Sequence, residues 1–316
     1  MNVLLTGQFG AAERGAWADA LAQACPGVRW LDDDAARAAP ATVRAAVVAN
    51  PAPGRLQGLP ALALIQSLWA GVDRLLADPT LPAGVPIARM VDPMMNAAMA
   101  ETALWTVLAL QRDFFVYARQ QRARQWQPHP QRRADETRVT VLGLGEMGRT
   151  AAQAIARQGF AVAGWAARER PGRSVPAGVQ AVFGDAALAA RLPATDVLVN
   201  LLPLTPATRG LLSASLFARL PRGAGIVNLA RGAHLVEPDL LAALDAGQVG
   251  HAVLDVFAHE PLPPDHPYWS HPRVTVLPHV AAATDPRSAA AVVGANLRAL
   301  AEGGPIAHLV DRRRGY

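Results

Sequence analysis

The sequence of 316 residues contains no lysine, and all 30 of its basic side chains are arginine. A chain without lysine cannot form a pyridoxal-phosphate Schiff base or the lysine–phosphate contact of a P-loop. Cys25 is the single cysteine, which excludes disulfide frameworks and thiolate metal clusters. The eight histidines are dispersed without a metal-ligand spacing, so we expect no metal site.

Long apolar runs are lacking as well. The composition is 51% hydrophobic, but no stretch approaches the roughly 20 apolar residues of a membrane-spanning helix. The first residues lack the basic segment and the long apolar core of a signal peptide. We therefore expect a cytoplasmic protein without a membrane partner. The net charge of +5 comes from scattered arginines, which favours a solvated surface over nucleic-acid binding.

Strand and helix patterns alternate along the chain, which indicates an α/β protein with parallel sheets. A long helix is predicted over 96–125, and we interpret it as a hinge between two lobes. Strands are predicted at 2–6, 28–31, 45–49, 62–68, 85–88, 139–142, 160–165, 179–183, 196–203, 225–230, 250–257 and 273–277. Further helices are predicted at 11–24, 212–220, 237–246 and 286–302.

A glycine motif follows the predicted strand at 139–142. Gly143, Gly145 and Gly148 have the spacing G-x-G-x-x-G, and an alanine-rich helical pattern continues from them. The first glycine permits a tight turn, the second lets a pyrophosphate approach the backbone, and the third lets the helix pack on the strand. The motif therefore predicts a dinucleotide site with its phosphates at the N-terminus of a helix.

The choice of cofactor depends on the next predicted strand. That strand ends at Trp165 without the acidic residue that accepts hydrogen bonds from the ribose in NAD sites. Arg168 and Arg170 follow within a few residues, and both would suit a 2′-phosphate. We therefore predict that NADPH is preferred over NADH. The alternative is that both arginines belong to the surface and that Glu169 binds the ribose.

Three ionisable residues each follow a strand of one predicted sheet: Arg231, Glu260 and His279. The carboxyl ends of parallel strands meet at one edge, where ligands bind. Hydride reduction of a 2-oxo acid needs a cation for the carboxylate and carbonyl, and an acid that works near pH 7. Arginine supplies the first and histidine the second, while a carboxylate beside the histidine keeps it oriented and protonated. Together the three residues predict hydride transfer to a 2-oxo acid.

Several motifs together resemble the D-isomer-specific 2-hydroxyacid dehydrogenases, and most of all their glyoxylate/hydroxypyruvate reductase A branch. The resemblance covers nearly the whole chain. The matching motifs are Gly143-Leu-Gly-Glu-Met-Gly148, Leu201-Leu-Pro-Leu-Thr-Pro206, Asn228-Leu-Ala-Arg-Gly232, Leu254-Asp-Val-Phe257 with Glu260-Pro-Leu262, and Pro278-His-Val-Ala281.

The resemblance implies two Rossmann-like, doubly wound parallel-sheet domains with a cleft between them. Residues 1–98 and 284–316 would form a flavodoxin-like, substrate-binding domain to which the C-terminal helix returns. Residues 99–283 would form the NAD(P)-binding Rossmann domain. The resemblance also implies a homodimer.

The same resemblance implies roles for individual residues. Arg231 would bind the carboxylate and carbonyl of the substrate, His279 would be the acid/base, and Glu260 would pair with it. The implied cofactor contacts are Gly143, Leu144, Gly145, Glu146, Met147, Gly148, Trp165, Arg168, Arg170, Leu201, Leu202, Pro203, Leu229, Ala230, Arg231, Asp255, His279 and Ala281.

A substrate loop is implied in the first domain. Backbone amides near Ala70 and Gly71 would hold the substrate carboxylate. Trp69 stands where the family often has glycine. Its indole would either narrow the pocket in favour of small substrates or pack beneath the loop.

We therefore expect NADPH-dependent reduction of a short 2-oxo acid, such as glyoxylate or hydroxypyruvate. One alternative is a dehydrogenase of the same family that acts on formate, phosphite or 3-phosphoglycerate. The other is a co-repressor-like protein that senses a dinucleotide without turning it over. The intact arginine, glutamate and histidine favour an enzyme.

Overall fold

The computed structural model describes residues 1–169, 172 and 174–316. They divide into two compact units. The first comprises Met1–Met95 and Thr284–Tyr316, and the second comprises Asn96–Ala283. Each unit contains one parallel sheet, so the predicted α/β class with two parallel-sheet domains is confirmed.

The first unit begins with alternating strands and helices. They are β1 (Asn2–Gly7), α1 (Ala11–Ala24), β2 (Arg29–Leu31), α2 (Asp33–Ala38), β3 (Val43–Ala49), β4 (Leu64–Ser67), α3 (Asp73–Leu76) and β5 (Ile87–Ala88). The strands form one sheet in the order β2-β1-β3-β4-β5, and every pair is parallel. This is the flavodoxin-like order, in which the chain reverses direction across the sheet between β1 and β3.

The second unit repeats the alternation around a larger sheet. Its described elements are α4 (Pro93–Gln111, which starts at the end of the first unit), α5 (Phe114–Arg122), β6 (Arg138–Leu142), α6 (Glu146–Ala156), β7 (Ala161–Ala166), β8 (Val179–Phe183), α7 (Asp185–Arg191), β9 (Val197–Asn200), α8 (Ala214–Phe217), β10 (Ala224–Asn228), α9 (Glu237–Asp245), β11 (Val249–Leu254) and β12 (Val274–Val276). The strand order is β12-β11-β10-β9-β6-β7-β8. The order reverses between β6 and β9, and in such sheets the ligand crevice lies at this switch point.

The last helix, α10 (Pro286–Glu302), belongs to the first unit. Its buried Asn296 donates a hydrogen bond of 2.7 Å to Gln66 Oε1 in β4. Gly294 faces α1 so closely that a Cβ would lie 3.0 Å from the Ala24 carbonyl oxygen. Asp285 is its N-cap and the left-handed Gly303 ends it, so its bounds agree with the predicted helix at 286–302.

The predicted long helix over 96–125 is wrong. The chain instead forms α4 and α5, which are separated at Asp113. Asp113 adopts a left-handed φ of 57°, which its short polar side chain tolerates better than most residues do. Its carbonyl then accepts from the Tyr117 N–H at 2.9 Å and starts the second helix. The apolar periodicity is almost continuous across the break, so it did not reveal that the helix ends before Asp113.

Each unit has an apolar core, whose side chains pack against the faces of its sheet. Valines in the middle of the strands are fully buried, among them Val47, Val141 and Val227. Within the described residues, no helix has the length and apolar character that crossing a membrane requires. The same residues contain no group of three or more side chains arranged to hold a metal ion.

Candidate active site

The loop between β6 and α6 has the shape of a phosphate-binding turn. Gly143 has a φ of 100°, and a Cβ there would lie 2.7 Å from the Leu201 carbonyl oxygen. A Cβ on Gly148 would overlap the Gly143 carbonyl. Gly145 differs, because it caps α6 and a Cβ there would meet nothing within 4 Å. Gly143 and Gly148 are thus needed for close packing. Gly145 faces open space at a helix N-terminus, which fits a pyrophosphate.

The predicted adenosine end of the site lies beyond β7. The indole of Trp165 is 4% exposed and donates 2.9 Å to the Gly184 carbonyl, so only the backbone of this residue can face a ligand. Arg168 is exposed on the following loop. Arg149, in the first turns of α6, donates to the Ser174 carbonyl on the far side of the same loop. Arg170 lies outside the described residues.

Arg231 opens the loop after β10 and is half-buried. Its carbonyl accepts from Asn228 Nδ2 at 3.0 Å, and its Nη1 donates 2.7 Å to the carbonyl of the preceding residue. The next residue, Gly232, packs against the loop after β11, because a Cβ there would overlap the Phe257 carbonyl group. This close approach joins the Arg231 loop to the loop that carries Glu260.

Glu260 and His279 are brought together from the loops after β11 and β12. His279 Nδ1 lies 2.8 Å from Glu260 Oε2, and Glu260 Oε1 accepts from the Phe257 N–H at 3.0 Å. A carboxylate accepts only, so the imidazole carries a hydrogen on Nδ1, and Nε2 is the ring nitrogen that Glu260 does not contact. The His279 side chain is 52% exposed and that of Glu260 is 30% exposed. The pair therefore has the geometry of an oriented general acid.

Asp255 holds the backbone on which His279 lies. Its carboxylate is 1% exposed and accepts from the Val280 and Ala281 N–H groups at 2.8 and 3.0 Å. Its own carbonyl accepts from the His279 N–H at 2.9 Å. Burial raises the pKa of Asp255, and the hydrogen bonds from Val280 and Ala281 offset part of that rise. The resemblance implied a cofactor contact for Asp255, and the structure gives its carboxylate a contact within the protein.

A second polar group at this edge was not predicted. Asn200 ends β9, Asn228 ends β10, and His234 follows in the turn after Arg231; the two asparagines and the histidine are 0% exposed. Asn200 Nδ2 lies 3.0 Å from both Asn228 Oδ1 and His234 Nδ1. The sequence did contain a signal for this group, because an asparagine ends each of two otherwise apolar strands. Ligands of parallel sheets bind beyond the carboxyl ends of the strands.

The predicted substrate loop follows β4 in the first unit. The Trp69 N–H donates to Ser67 Oγ at 3.0 Å, and the Ser67 hydroxyl donates back to the Trp69 carbonyl at 3.1 Å. The half-buried indole of Trp69 meets the buried Trp17 edge to face, with ring centroids 6.4 Å apart. This contact favours packing beneath the loop. Ala70 and Gly71 are half-buried beside it.

The chain is similar to proteins of known family. Residues 104–281 match the family model described as D-isomer specific 2-hydroxyacid dehydrogenase, NAD binding domain. A glyoxylate/hydroxypyruvate reductase A from Yersinia enterocolitica is 46% identical over 255 residues, which cover 79% of this chain and 80% of that protein. One from Klebsiella pneumoniae is 40% identical over 305 residues, which cover 95% of this chain and 96% of that protein.

Solved structures are similar over the whole chain. A D-isomer specific 2-hydroxyacid dehydrogenase from Xanthobacter autotrophicus Py2, in complex with NADPH and MES, has a TM-score of 0.91 and 40% identity, covering 100% of this chain and 99% of that one. An NADPH-dependent glyoxylate/hydroxypyruvate reductase from Sinorhizobium meliloti, in complex with NADP and sulfate, has a TM-score of 0.91 and 36% identity, again covering 100% and 99%.

Proposed function

Because the chain belongs to the D-isomer-specific 2-hydroxyacid dehydrogenase family, on its glyoxylate/hydroxypyruvate reductase A branch, we propose that it reduces glyoxylate, hydroxypyruvate or a similar short 2-oxo acid to the 2-hydroxy acid. The chain is an NAD(P)-dependent oxidoreductase. The observation that carries the proposal is the contact of 2.8 Å between His279 and Glu260, at the edge of the sheet that also carries the glycine loop.

His279 acts as the acid. The bound reduced nicotinamide supplies the hydride. The protonated imidazole gives its Nε2 hydrogen to the carbonyl oxygen of the substrate, which becomes the hydroxyl group. Glu260 holds the Nδ1 hydrogen, stabilises the imidazolium and keeps the ring turned. Asp255 fixes the backbone of the loop, so the proton is delivered from a defined position.

Arg231 binds the substrate. Its planar guanidinium matches a carboxylate and polarises the adjacent carbonyl. The bond from Asn228 to its carbonyl and the close packing of Gly232 hold its backbone in place. The unit Asn96–Ala283 would bind the cofactor, and Met1–Met95 with Thr284–Tyr316 would bind the substrate through the loop at Trp69–Gly71.

The direct test is a panel of 2-oxo acids with NADPH and with NADH. Glyoxylate and hydroxypyruvate should be reduced with the highest kcat/KM. Arg231→Ala and His279→Ala should each lower kcat/KM for these acids on the order of 10³-fold. An exposed arginine at the far end of α6, Arg157, supplies the control Arg157→Ala. Wild-type rates in Arg231→Ala or His279→Ala would refute the assignment, and cofactor binding without any turnover would favour a dinucleotide-sensing protein.

Preference for NADPH is the finer part of the proposal. It is supported by the exposed Arg168 on the loop after β7 and by the lack of an acid at that strand end. Relatives from Xanthobacter autotrophicus and Sinorhizobium meliloti contain NADPH or NADP. Arg168→Ala should raise KM for NADPH about tenfold and leave KM for NADH unchanged. An NADH preference in the wild type, or an unchanged NADPH preference in the variant, would contradict this role.

A homodimer is also proposed, on the family resemblance alone. Light scattering coupled to size-exclusion chromatography should give twice the mass of 33.3 kDa. A mass of one chain across the micromolar range would contradict it.

A further inference from the structure

The hydrogen positions of the buried group Asn200, Asn228 and His234 follow from the donors present. The Asn200 amide has two hydrogens, and its two close acceptors are Asn228 Oδ1 and His234 Nδ1, each at 3.0 Å. Nδ1 therefore accepts, and the ring hydrogen is on Nε2. Nε2 donates it to the Pro203 carbonyl at 3.3 Å. His234 is thus a neutral imidazole that ties the end of β9 to the loop that follows it.

Three further hydrogen bonds of Asn200 and Asn228 reach the loops after β9 and β10. Asn200 Oδ1 accepts from the Leu202 N–H at 3.2 Å. Asn228 Oδ1 accepts from the Ala230 N–H at 3.3 Å, and Asn228 Nδ2 donates to the Arg231 carbonyl at 3.0 Å. Each bond joins a strand end to a loop residue two or three positions further along the chain. The loops at 201–203 and 229–231 are therefore positioned by side chains as well as by the sheet.

The polar network lies where apolar residues would otherwise stand. The strands β9 (Val197–Asn200) and β10 (Ala224–Asn228) are fully buried, and each is apolar up to its last residue. Buried polar side chains contribute little net stability over well-packed apolar ones of the same shape, and an unpaired one is costly. Placing three of them at the one edge that carries Arg231 and His279 is poorly explained by stability alone.

We propose that Asn200, Asn228 and His234 are positioning residues for hydride transfer. The network holds 201–203 and 229–231 against the nicotinamide ring, and it fixes the backbone of Arg231. None of the three residues touches the substrate. The inference rests on the proposed function in one respect, namely that these two loops face the reactive end of the cofactor.

The test replaces His234 in three ways. His234→Leu removes the bonds to Asn200 and Pro203, His234→Asn keeps an acceptor near the position of Nδ1, and His234→Gln keeps a donor near the position of Nε2. In His234→Leu we expect kcat to fall on the order of 10²-fold, because small misplacements of reacting groups have effects of this size. KM for the 2-oxo acid should change much less. The deuterium isotope effect with C4-deuterated NADPH should rise, because hydride transfer becomes slower than product release.

The matched control is His251→Leu. His251 is also buried and bonded, with Nε2 2.9 Å from Thr275 Oγ1, but it lies toward the amino end of β11. The His251→Leu variant should have a lower melting temperature but an unchanged kcat and isotope effect. If His234→Leu does not fold, His234→Asn and His234→Gln are compared with the wild type in its place, and a lower kcat with a raised isotope effect in either supports the proposal. Wild-type kcat and isotope effect in all folded variants at 234 would overturn it.

A binding measurement separates this inference from the proposed function. The probes are NADPH and 2′-phospho-ADP-ribose, which lacks the nicotinamide. His234→Leu should weaken NADPH binding about tenfold and leave binding of 2′-phospho-ADP-ribose unchanged. This result would support the network even if the wild type reduced no 2-oxo acid. Equal weakening of both ligands, or of neither, would overturn the positioning role whatever the substrate.

Discussion

At the amino ends of the seven-stranded sheet, titratable side chains are paired or shielded. Asp196, just before β9, accepts from Arg138 Nε and Nη2 at 2.9 and 3.0 Å. Burial raises the pKa of Asp196, but the bonds from Arg138 and Arg132 outweigh it and hold that pKa at about 2. His251, in β11, stacks on Phe115 with ring centroids 4.4 Å apart.

At the carboxyl ends of the same strands, the arrangement is different. Glu260 and His279 are paired with each other but remain partly exposed, and Arg231 is half-buried beside the same loops. Gly145 faces open space. Charged side chains thus stabilise the fold at the amino ends of these strands and remain accessible to solvent at the carboxyl ends. The reason is geometric, since the loops that follow parallel strands meet at one edge and are free to vary without disturbing the strands.

The largest expected effect concerns the glycine loop. Gly148→Val should abolish cofactor binding, because a side chain there overlaps the Gly143 carbonyl. Gly145→Ala should keep the wild-type melting temperature but weaken NADPH binding tenfold or more, on the order expected for a blocked phosphate contact. Isothermal titration calorimetry measures the affinity for NADPH, and thermal melting measures the melting temperature.

A glycine at the amino end supplies the control for that prediction. Gly223, before β10, has a φ of 83° and open space around it. Gly223→Ala should destabilise the fold by about 1 kcal/mol through backbone strain, with NADPH affinity unchanged. Loss of affinity in Gly223→Ala equal to that in Gly145→Ala would break the comparison between the two ends.

The next largest effect is the acid sensitivity caused by His251. Burial, with Arg119, His271 and Arg273 nearby, lowers the pKa of His251 to about 3. The unfolded chain then binds the proton first, so stability should fall as pH drops below 6.5, by about 1.4 kcal/mol per pH unit until the folded-state pKa is reached. His251→Gln should remove this slope in urea unfolding measured across pH, and an unchanged slope would show that other groups cause it. Activity at pH 7 should be unaffected.

Glu260→Gln tests the orienting carboxylate. An amide can still contact Nδ1, but it no longer stabilises an imidazolium, so kcat should fall on the order of 10²-fold. Glu237 offers a matched pair, since its Oε2 lies 3.5 Å from His266 Nε2 in the same unit. Glu237→Gln should leave kcat within about twofold of the wild type. Similar rates in the two variants would mean that the Glu260–His279 contact has no part in the reaction.

The smallest of these effects is expected for Asp196. Its pKa is depressed to about 2 in the folded chain, so its stabilising effect is present above the ordinary value of 3.8 and is lost as pH falls toward 2. Asp196→Asn should reduce the free energy of unfolding by about 2 kcal/mol at pH 7. The difference from the wild type should shrink on acidification, while kcat/KM stays unchanged. A loss that persists at pH 2 would point to packing rather than charge.

Most of the fold could be predicted because its signals are local. The bounds of α1 and α10 match the predicted helices. In α10 an aspartate caps the first turn and a glycine ends the last one. The break at Asp113 could not be predicted, because apolar residues continue on both sides of it and only packing selects the left-handed turn. The predicted helix at 212–220 is reduced to Ala214–Phe217 in α8.

The site divides in the same way. Arg231, Glu260 and His279 were predicted as site residues because arginine, glutamate and histidine after successive strands have a chemical meaning that residue type alone conveys, and the structure places Glu260 beside His279. The contacts of Asn200 with Asn228 and His234 were not predicted, since the partners of neutral polar residues become known only once the chain is folded. Trp165 was assigned to the cofactor, and its indole is in the core.

By itself the sequence determined the α/β class, the glycine turn and the chemical groups available to a hydride-transfer enzyme. These depend on residue type and on spacing within one or two elements. Only the tertiary structure decided that Asp255 holds the loop of His279, and that two strand-end asparagines meet one histidine. Such contacts join residues about 25 to 35 positions apart in sequence. They exist because parallel strands bring their carboxyl ends together, an outcome that no local pattern encodes.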